Sequence, residues 1–360
     1  MGIGDRFKKL FKGRDEPATF EERVAEFWAW WESIAEQFSR DVDAQRASEW
    51  SDEVSERLAA VHPELAWETG PGRSSKHHLA ISSEGDSVLR VTTERIVARA
   101  PKASEHWEYY PARRRAAGDP VGAIRYGDGL EVDYGDVAIA VAPNDLQMTV
   151  DLTVFHPSFA AVGEDRAASV TFLLLDDLVG EDDVERWIGS VETVITAPEG
   201  ALSGPEVRDY IDSFAAEADL DSLALVEMTD KTSGRVLLAT WRAGLKRLDH
   251  LLFDHHVEIV ADVPSADARG LCDGAELESL AEIEDELLEE LGSNAVFFGH
   301  VTGHGKRTIR LQVLPSSPAV DVVERWIERH PEYSIEFEVS ADPSWKSLRD
   351  IPGALRRYAG

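Results

Sequence analysis

Two histidine-bearing stretches in the C-terminal third, "FDHHVEIV" and "GHVTGHGKR", hold the first residues in this chain whose types could do chemistry. Asp254, His255, His256, His300 and His304 offer enough nitrogen and oxygen donors for a zinc or iron site. Their spacing works against that use. Adjacent residues on a strand point to opposite faces, so His255 and His256 cannot join one cluster. His300 and His304 flank a glycine-rich hairpin turn rather than sharing a helical face, and no HExxH pattern occurs. The one cysteine, Cys272, lies in the loop "RGLCDG", with no GxSxG elbow or phosphate-binding glycine loop to accompany it. The sequence calls for no metal and no cofactor, and it names no nucleophile.

One group of residues does converge. Suppose "HHVEIVAD", "RTIRLQV" and "YSIEFEVS" are neighbouring strands. If Val257, Ile259, Ile309, Leu311, Ile335 and Phe337 then face a helical layer, His256, Glu258, Arg310, Glu336 and Glu338 share the opposite face. These five are the candidate binding residues. Ordinary cross-strand ion pairing on a wet sheet face uses the same residue types. Two functions follow: a non-catalytic protein-binding or regulatory module, or a hydrolase or transferase using His256, Glu258 and Arg310.

The elements that must position these residues can be read from periodicity. From residue 254 the order is strand "HVEIVADV", helix "GAELESLAEIEDELLEEL", strand "AVFFGHV", strand "RTIRLQVL", helix "AVDVVERWIERH" and strand "YSIEFEVS". Strand, helix, strand, strand, helix, strand is the split βαβ order of a ferredoxin-like domain, with two helices on one face of an antiparallel sheet. In the acidic helix, Leu277, Leu280, Ile283, Leu287 and Leu291 form the core stripe and leave its glutamates as a solvated face.

The N-terminal part repeats this plan. Helices "FEERVAEFWAWWESIAEQF" and "EWSDEVSERLAAV" precede strands "LAWET" and "HHLAISS", helix "VLRVTTERIVARA" and strand "HWEYYPAR". A shift of 230 residues lays "TERIVARAP" at Thr93 to Pro101 on "VERWIERHP" at Val323 to Pro331, and the register holds from Trp50 to Tyr110 without a gap. The expected consequence is a related module lacking its first strand. Leu79, Ile81, Ile309, Leu311, Val97 and Ile327 are then buried, and Arg95 and Arg325 lie near the surface. "VERWI" also occurs at Val184 to Ile188, in a looser context that we read as coincidence. The middle of the chain reads as strands "VDYGDVAIAVA", "MTVDLTVF" and "SVTFLLLD", helix "GPEVRDYIDSFAAEA", and strands "SLALVEM" and "RVLLATW". "APEGALSGP" is the linker candidate. The expected fold class is α+β, with antiparallel sheets carrying helices on one face. Its expected divisions are a basic segment 1–20, an N-terminal domain 21–200 and a C-terminal domain 201–360.

From about Trp241 onward the chain resembles the bacterial domain of unknown function family 695. The resemblance rests on "HHVEIVADVP", "GLCDGAELESLAEIEDELLEEL", "FFGHVTGHGKRTIRLQV" and "ADPSWKSLRDIP". It covers about a third of the chain and brings no established activity with it. Some members of that family resemble fusions with ribonuclease E inhibitor-like modules, which implies a regulatory binding role.

Composition narrows the field further. The 360 residues include 68 acidic and 37 basic side chains, a formal charge of −31 that repels nucleic acid and anionic membrane surfaces and attracts a basic protein partner. A single cysteine excludes a disulfide framework and fits the cytoplasm. No run is apolar enough to cross a membrane, and no secretory signal pattern opens the chain. The start, "MGIGDRFKKLFKGR", is basic and amphipathic but has Arg6 where N-myristoylation favours Ser or Thr, so it reads as a frayed terminus without stable membrane association.

Overall fold

The computed structural model describes residues 18–120, 122–125, 129–229, 234–267 and 270–347. Nearly all of the basic segment 1–20 lies outside these residues, as does the end of "ADPSWKSLRDIP". The protein is a mixed α+β structure that divides into two compact units, Met1–Arg113 and Arg114–Gly360. Among the described residues no helix is long and apolar enough to cross a membrane.

In the first unit, α1 (Phe20–Asp43) begins at a reciprocal cap, Thr19 accepting from the Glu22 amide and Glu22 from the Thr19 amide. Helix α2 (Ser51–Val61) follows, then β1 (Ala66–Pro71), β2 (His77–Ser82), α3 (Leu89–Val97) and β3 (Trp107–Tyr110). The sheet order is β1-β2-β3, with β2 antiparallel to β1 and parallel to β3. Val24, Trp28, Trp31 and Phe38 of α1 pack with Leu79, Ile81, Ile96 and Trp107. A buried indole needs an acceptor. Trp28 donates to the Ile96 carbonyl at 2.9 Å, tying α1 to α3, and Trp107 donates to the Ala35 carbonyl at 2.7 Å, tying β3 to α1. The β1–β2 loop is tied by Glu108, whose carboxylate accepts the amides of Arg73, Ser74 and Ser75 and the Tyr110 hydroxyl. Burial works to raise the pKa of Glu108, but these hydrogen bonds outweigh it and bring it down to about 2.

The second unit opens with the hairpin β4 (Ala123–Arg125) and β5 (Glu131–Asp133). A sheet of β6 (Ala138–Asn144), β7 (Thr149–Phe155) and β8 (Ile188–Val194) is packed by α4 (Glu164–Val179), α5 (Glu181–Trp187) and α6 (Gly204–Glu217). "SVTFLLLD", expected as a strand, is inside α4. Its buried residues Val170, Thr171, Leu174 and Leu175, continued by Leu178, repeat at three- and four-residue steps, a period that a short apolar run hides. "VERWI" at 184–188 straddles the end of α5 and the start of β8, whereas at 323–327 it is wholly helical. The stretch "APEGALSGP" is bonded into this unit: Leu202 and Ile139 exchange backbone hydrogen bonds at 2.9 and 2.8 Å. The division between the two compact units falls at Arg113/Arg114.

The rest of the unit is a six-stranded antiparallel sheet. Its elements are β9 (Leu223–Thr229), β10 (Val236–Arg242), β11 (His255–Asp262), α7 (Gly274–Leu291), β12 (Ala295–Gly303), β13 (Lys306–Val313), α8 (Ala319–Arg329) and β14 (Ile335–Ala341). The spatial order is β14-β11-β13-β12-β10-β9. Val257, Ile259, Ile309 and Leu311 are buried under Leu287 and Leu291 of α7 and Val323 and Trp326 of α8. One glutamate of α7 departs from the expected solvated face. Glu284 is buried on the core side, where it accepts from Arg307 Nε at 2.9 Å and sits 2.8 Å from His300 Nδ1. Strands β12 and β13 are joined by His304 and Gly305, both at positive φ as a two-residue hairpin turn requires.

Leu79, Ile81, Ile309 and Leu311 are buried, and Arg95 and Arg325 are exposed. Val97 and Ile327 are only half-buried. Their chain neighbours Ile96 and Trp326 take the deep positions, one step round each helix. In the first unit β2 pairs directly with β3, whereas β11 stands between β13 and β14.

Two stability predictions follow. Because its folded pKa is depressed, Glu108 contributes stability that is present above the unfolded carboxylate value of about 4.3 and is lost as pH falls towards 2. Glu108→Gln should cost about 2–3 kcal/mol at pH 7 and flatten the loss between pH 5 and 2, measured by denaturant unfolding of the first unit's transition. Gly299, at the bulge between β12 and β13, has the Thr240 carbonyl 2.1 Å from where a Cβ would lie. Gly299→Ala should therefore force β10 from β12 and lower stability by about 2 kcal/mol or more, read from the thermal midpoint.

Candidate functional site

On the sheet face away from α7 and α8 lies a pocket of about 220 Å³ lined by His256, Glu258, Arg310, Glu338, Ser340 and Ser347. Strand register explains the convergence. Glu258 of β11 stands opposite Arg310 on β13 and Glu338 on β14, and His256 stands opposite Gln312 and Ser340. Arg310 Nε donates to Glu258 Oε2 at 3.1 Å. Four of the five residues singled out from alternation thus line one pocket. Glu336 is on the same strand face, opposite Val260, but is not part of the lining.

The remaining wall comes from residues after β14. Asp342 is buried, and its carboxylate accepts the amides of Lys346 at 2.7 Å and Ser347 at 3.1 Å, the Ser347 hydroxyl at 2.9 Å and the Gln312 side-chain amide at 3.1 Å. Burial pushes the Asp342 pKa up, but the bonds from Ser347 and Lys346 prevail and hold it below the usual range. Trp345 makes the reversal at φ 52°, packs 4.8 Å from the Phe298 ring and donates to the Phe253 carbonyl at 2.7 Å. Arg247, also buried, forks onto Glu185 of α5 at 2.6 and 2.7 Å and donates to the Pro343 carbonyl at 3.2 Å. These bonds brace the cover from outside. The cover was not foreseen from the sequence. Ser340 was within reach, since it continues the 336, 338 alternation, but Ser347 reaches the pocket only through the Asp342 turn.

His256 is 6% exposed and stacks on the Phe298 ring at 6.1 Å with the planes inclined at 24°. Its Nδ1 is buried and has no hydrogen-bond partner among the described residues. Burial lowers the His256 pKa, and the Arg310 cation lowers it further against the opposing charges of Asp342 and Glu258. The ring is therefore neutral at pH 7. Ser347 has committed its proton to Asp342, so its oxygen faces the pocket as an acceptor. Two carboxylates against one guanidinium leave the pocket with a formal negative charge.

The other histidines are dispersed. His255 pairs with Asp254 at 2.8 Å, His300 with Glu284, and His304 occupies the hairpin turn. Among the described residues no group of three or more His, Cys, Asp or Glu is placed to hold a metal ion.

In a histidine-resolved NMR titration, His256 should protonate below pH 6.5, and Arg310→Met should raise its midpoint without restoring the full value, because burial is the larger cause. The sign for stability is fixed by the same shift. The contribution of neutral His256 is present above pH 6.5 and is lost as pH falls through and below that value. A midpoint at or above 6.5 would contradict the environment described.

The chain matches no curated protein. Residues 235–351 match the model of DUF695, a family of unknown function, and this segment contains every residue of the pocket.

Proposed function

We propose that this is a non-catalytic binding protein whose pocket at His256 receives a cationic group from a basic protein partner. The observation that carries this reading is the character of the lining. Glu258, Glu338, Ser340, Ser347 and the neutral His256 ring supply acceptors in excess of the donors of Arg310, on a chain of formal charge −31. Nucleic acid is repelled by the same charge. The single cysteine agrees with a cytoplasmic setting.

On this reading the C-terminal module is ferredoxin-like. Its support is the spatial order β14-β11-β13-β12, which is fourth, first, third, second, with α7 and α8 as the two crossovers. The first unit is then a related copy without the first strand. The pairings Ala66 with Ser82 and Trp67 with Ile81 recur, 230 residues on, as Val296 with Gln312 and Phe297 with Leu311, and beyond the bulge at Gly299 the other four pairings are offset by one residue. Paired non-catalytic modules suit recognition, although fold alone does not decide function.

The hydrolase or transferase alternative is disfavoured by the surroundings of His256. A general base needs an orienting partner. Among the described residues no carboxylate orients His256 Nδ1, and the Asp342 carboxylate is committed to Lys346, Ser347 and Gln312.

An arginine-containing hexapeptide, titrated calorimetrically at low salt and at 0.5 M salt as a rough screen of charge, should bind in the first condition and weaken in the second. Glu338→Gln should weaken it by about tenfold, whereas Glu289→Gln on the outer face of α7 should not. Equal affinity of the Glu338 variant and the parent, or no binding at low salt, would refute the proposal.

A further inference from the structure

The geometry points to β14 as an edge that a partner strand extends, so that an extended basic segment is held by backbone pairing and read by side chain beside the pocket. This rests on the binding reading above. Strand β14 pairs with β11 alone among the described residues, which leaves the N–H and C=O groups of its outer edge without a ladder partner. Edges are ordinarily protected by proline, a bulge or charged side chains, lysine above all; the charges of β14 are Glu336 and Glu338, which repel an acidic strand and not a basic one. "IEFEVSA" has no proline or basic residue, and its register with β11 runs unbroken from Ile335 to Ala341. The strand is long enough for several backbone bonds.

Its side chains specify the occupant. On the pocket face, Glu336, Glu338 and Ser340 are exposed. On the helix face, Ile335 and Phe337 are half-buried and Val339 is 38% exposed. A strand laid beside β14 places its residues about 5 Å from these, face by face. Lysine or arginine suits the positions beside Glu336 and Glu338, and an aliphatic residue suits those beside Phe337 and Val339. The fitting partner is therefore a segment of alternating basic and aliphatic residues, with one long cation directed towards Glu338 and the pocket mouth. Strand addition of this kind takes its affinity from the main chain and its specificity from alternate side chains. The opposite edge, β9, exposes Leu223 and Leu225, but nothing there specifies what would cover them.

The test uses the full chain and a seven-residue peptide of alternating valine and arginine in three forms: unmodified, N-methylated at the valine amides, and N-methylated at the arginine amides. In a strand pairing on one side, alternate amides face the neighbour and the others face away. One methylated form should lose about tenfold or more in affinity while the other binds like the parent, and hydrogen exchange at β14 amides should slow when the parent peptide is bound. Equal affinity of all three forms, or equal loss in both methylated forms, would overturn strand addition while leaving charge-driven docking at the pocket intact. Absence of binding by the unmodified peptide would remove both.

Discussion

Helices α7 and α8 cover only one face of the C-terminal sheet, and that asymmetry sets the role of every residue on β11, β13 and β14. Val257, Ile259, Ile309 and Leu311 must lie under Leu287, Leu291 and Trp326. Side chains alternate with a period of two, so His256, Glu258 and Arg310 are obliged to the other face. A one-residue slip of β11 would bury Glu258 beneath Trp326 and expose Val257 and Ile259. The cost of unpaired buried charge is large enough to exclude it. Charge on the covered face is admitted only as a closed pair. Glu284 and Arg307 satisfy one another there, with Thr302 taking a further guanidinium donor. Arg310 and Glu258 pair on the open face, where water shares the cost and the bond contributes less.

The pocket is made from that open face by a short cover held through Asp342. A buried carboxylate is tolerated there because five hydrogen bonds compensate its desolvation. The cover creates a dry wall for His256 without supplying a partner for its Nδ1. Arg247 links this cover to Glu185 of α5, which makes the middle layer of the second unit a mechanical support for the site.

The two sheets use corresponding glutamates differently on the proposed duplication. Glu108 and Glu338 are 230 residues apart, and each is on a strand face turned away from the helices. Glu108 spends its carboxylate on the amides of Arg73, Ser74 and Ser75 and closes a loop. Glu338 has no such loop to hold and remains on the pocket rim. A position that closes a loop in one unit thus lines a pocket in the other. On the proposed function, the remaining carboxylates of a chain with 68 acidic residues would set the long-range attraction for a basic partner, and the few on β11 and β14 would set where it docks.

What the sequence determined by itself was what depends on local period. The apolar stripe of α1, the strand–helix order from β11 to β14 and the shared face of His256, Glu258, Arg310, Glu336 and Glu338 follow from residue spacing, since helix and strand geometry repeat identically along an element. Where the period was ambiguous, local reading failed. The run in α4 reads locally as a strand, "VERWI" lies within a helix at one site and straddles a helix end and a strand start at the other, and Ile96 rather than Val97 is the deep residue. Each outcome was decided by which surface stood opposite. Only tertiary structure could bring Ser347 over His256, bury Glu284 with Arg307 or leave the His256 nitrogen without a partner. Those relations join residues many positions apart, through contacts that no local spacing encodes.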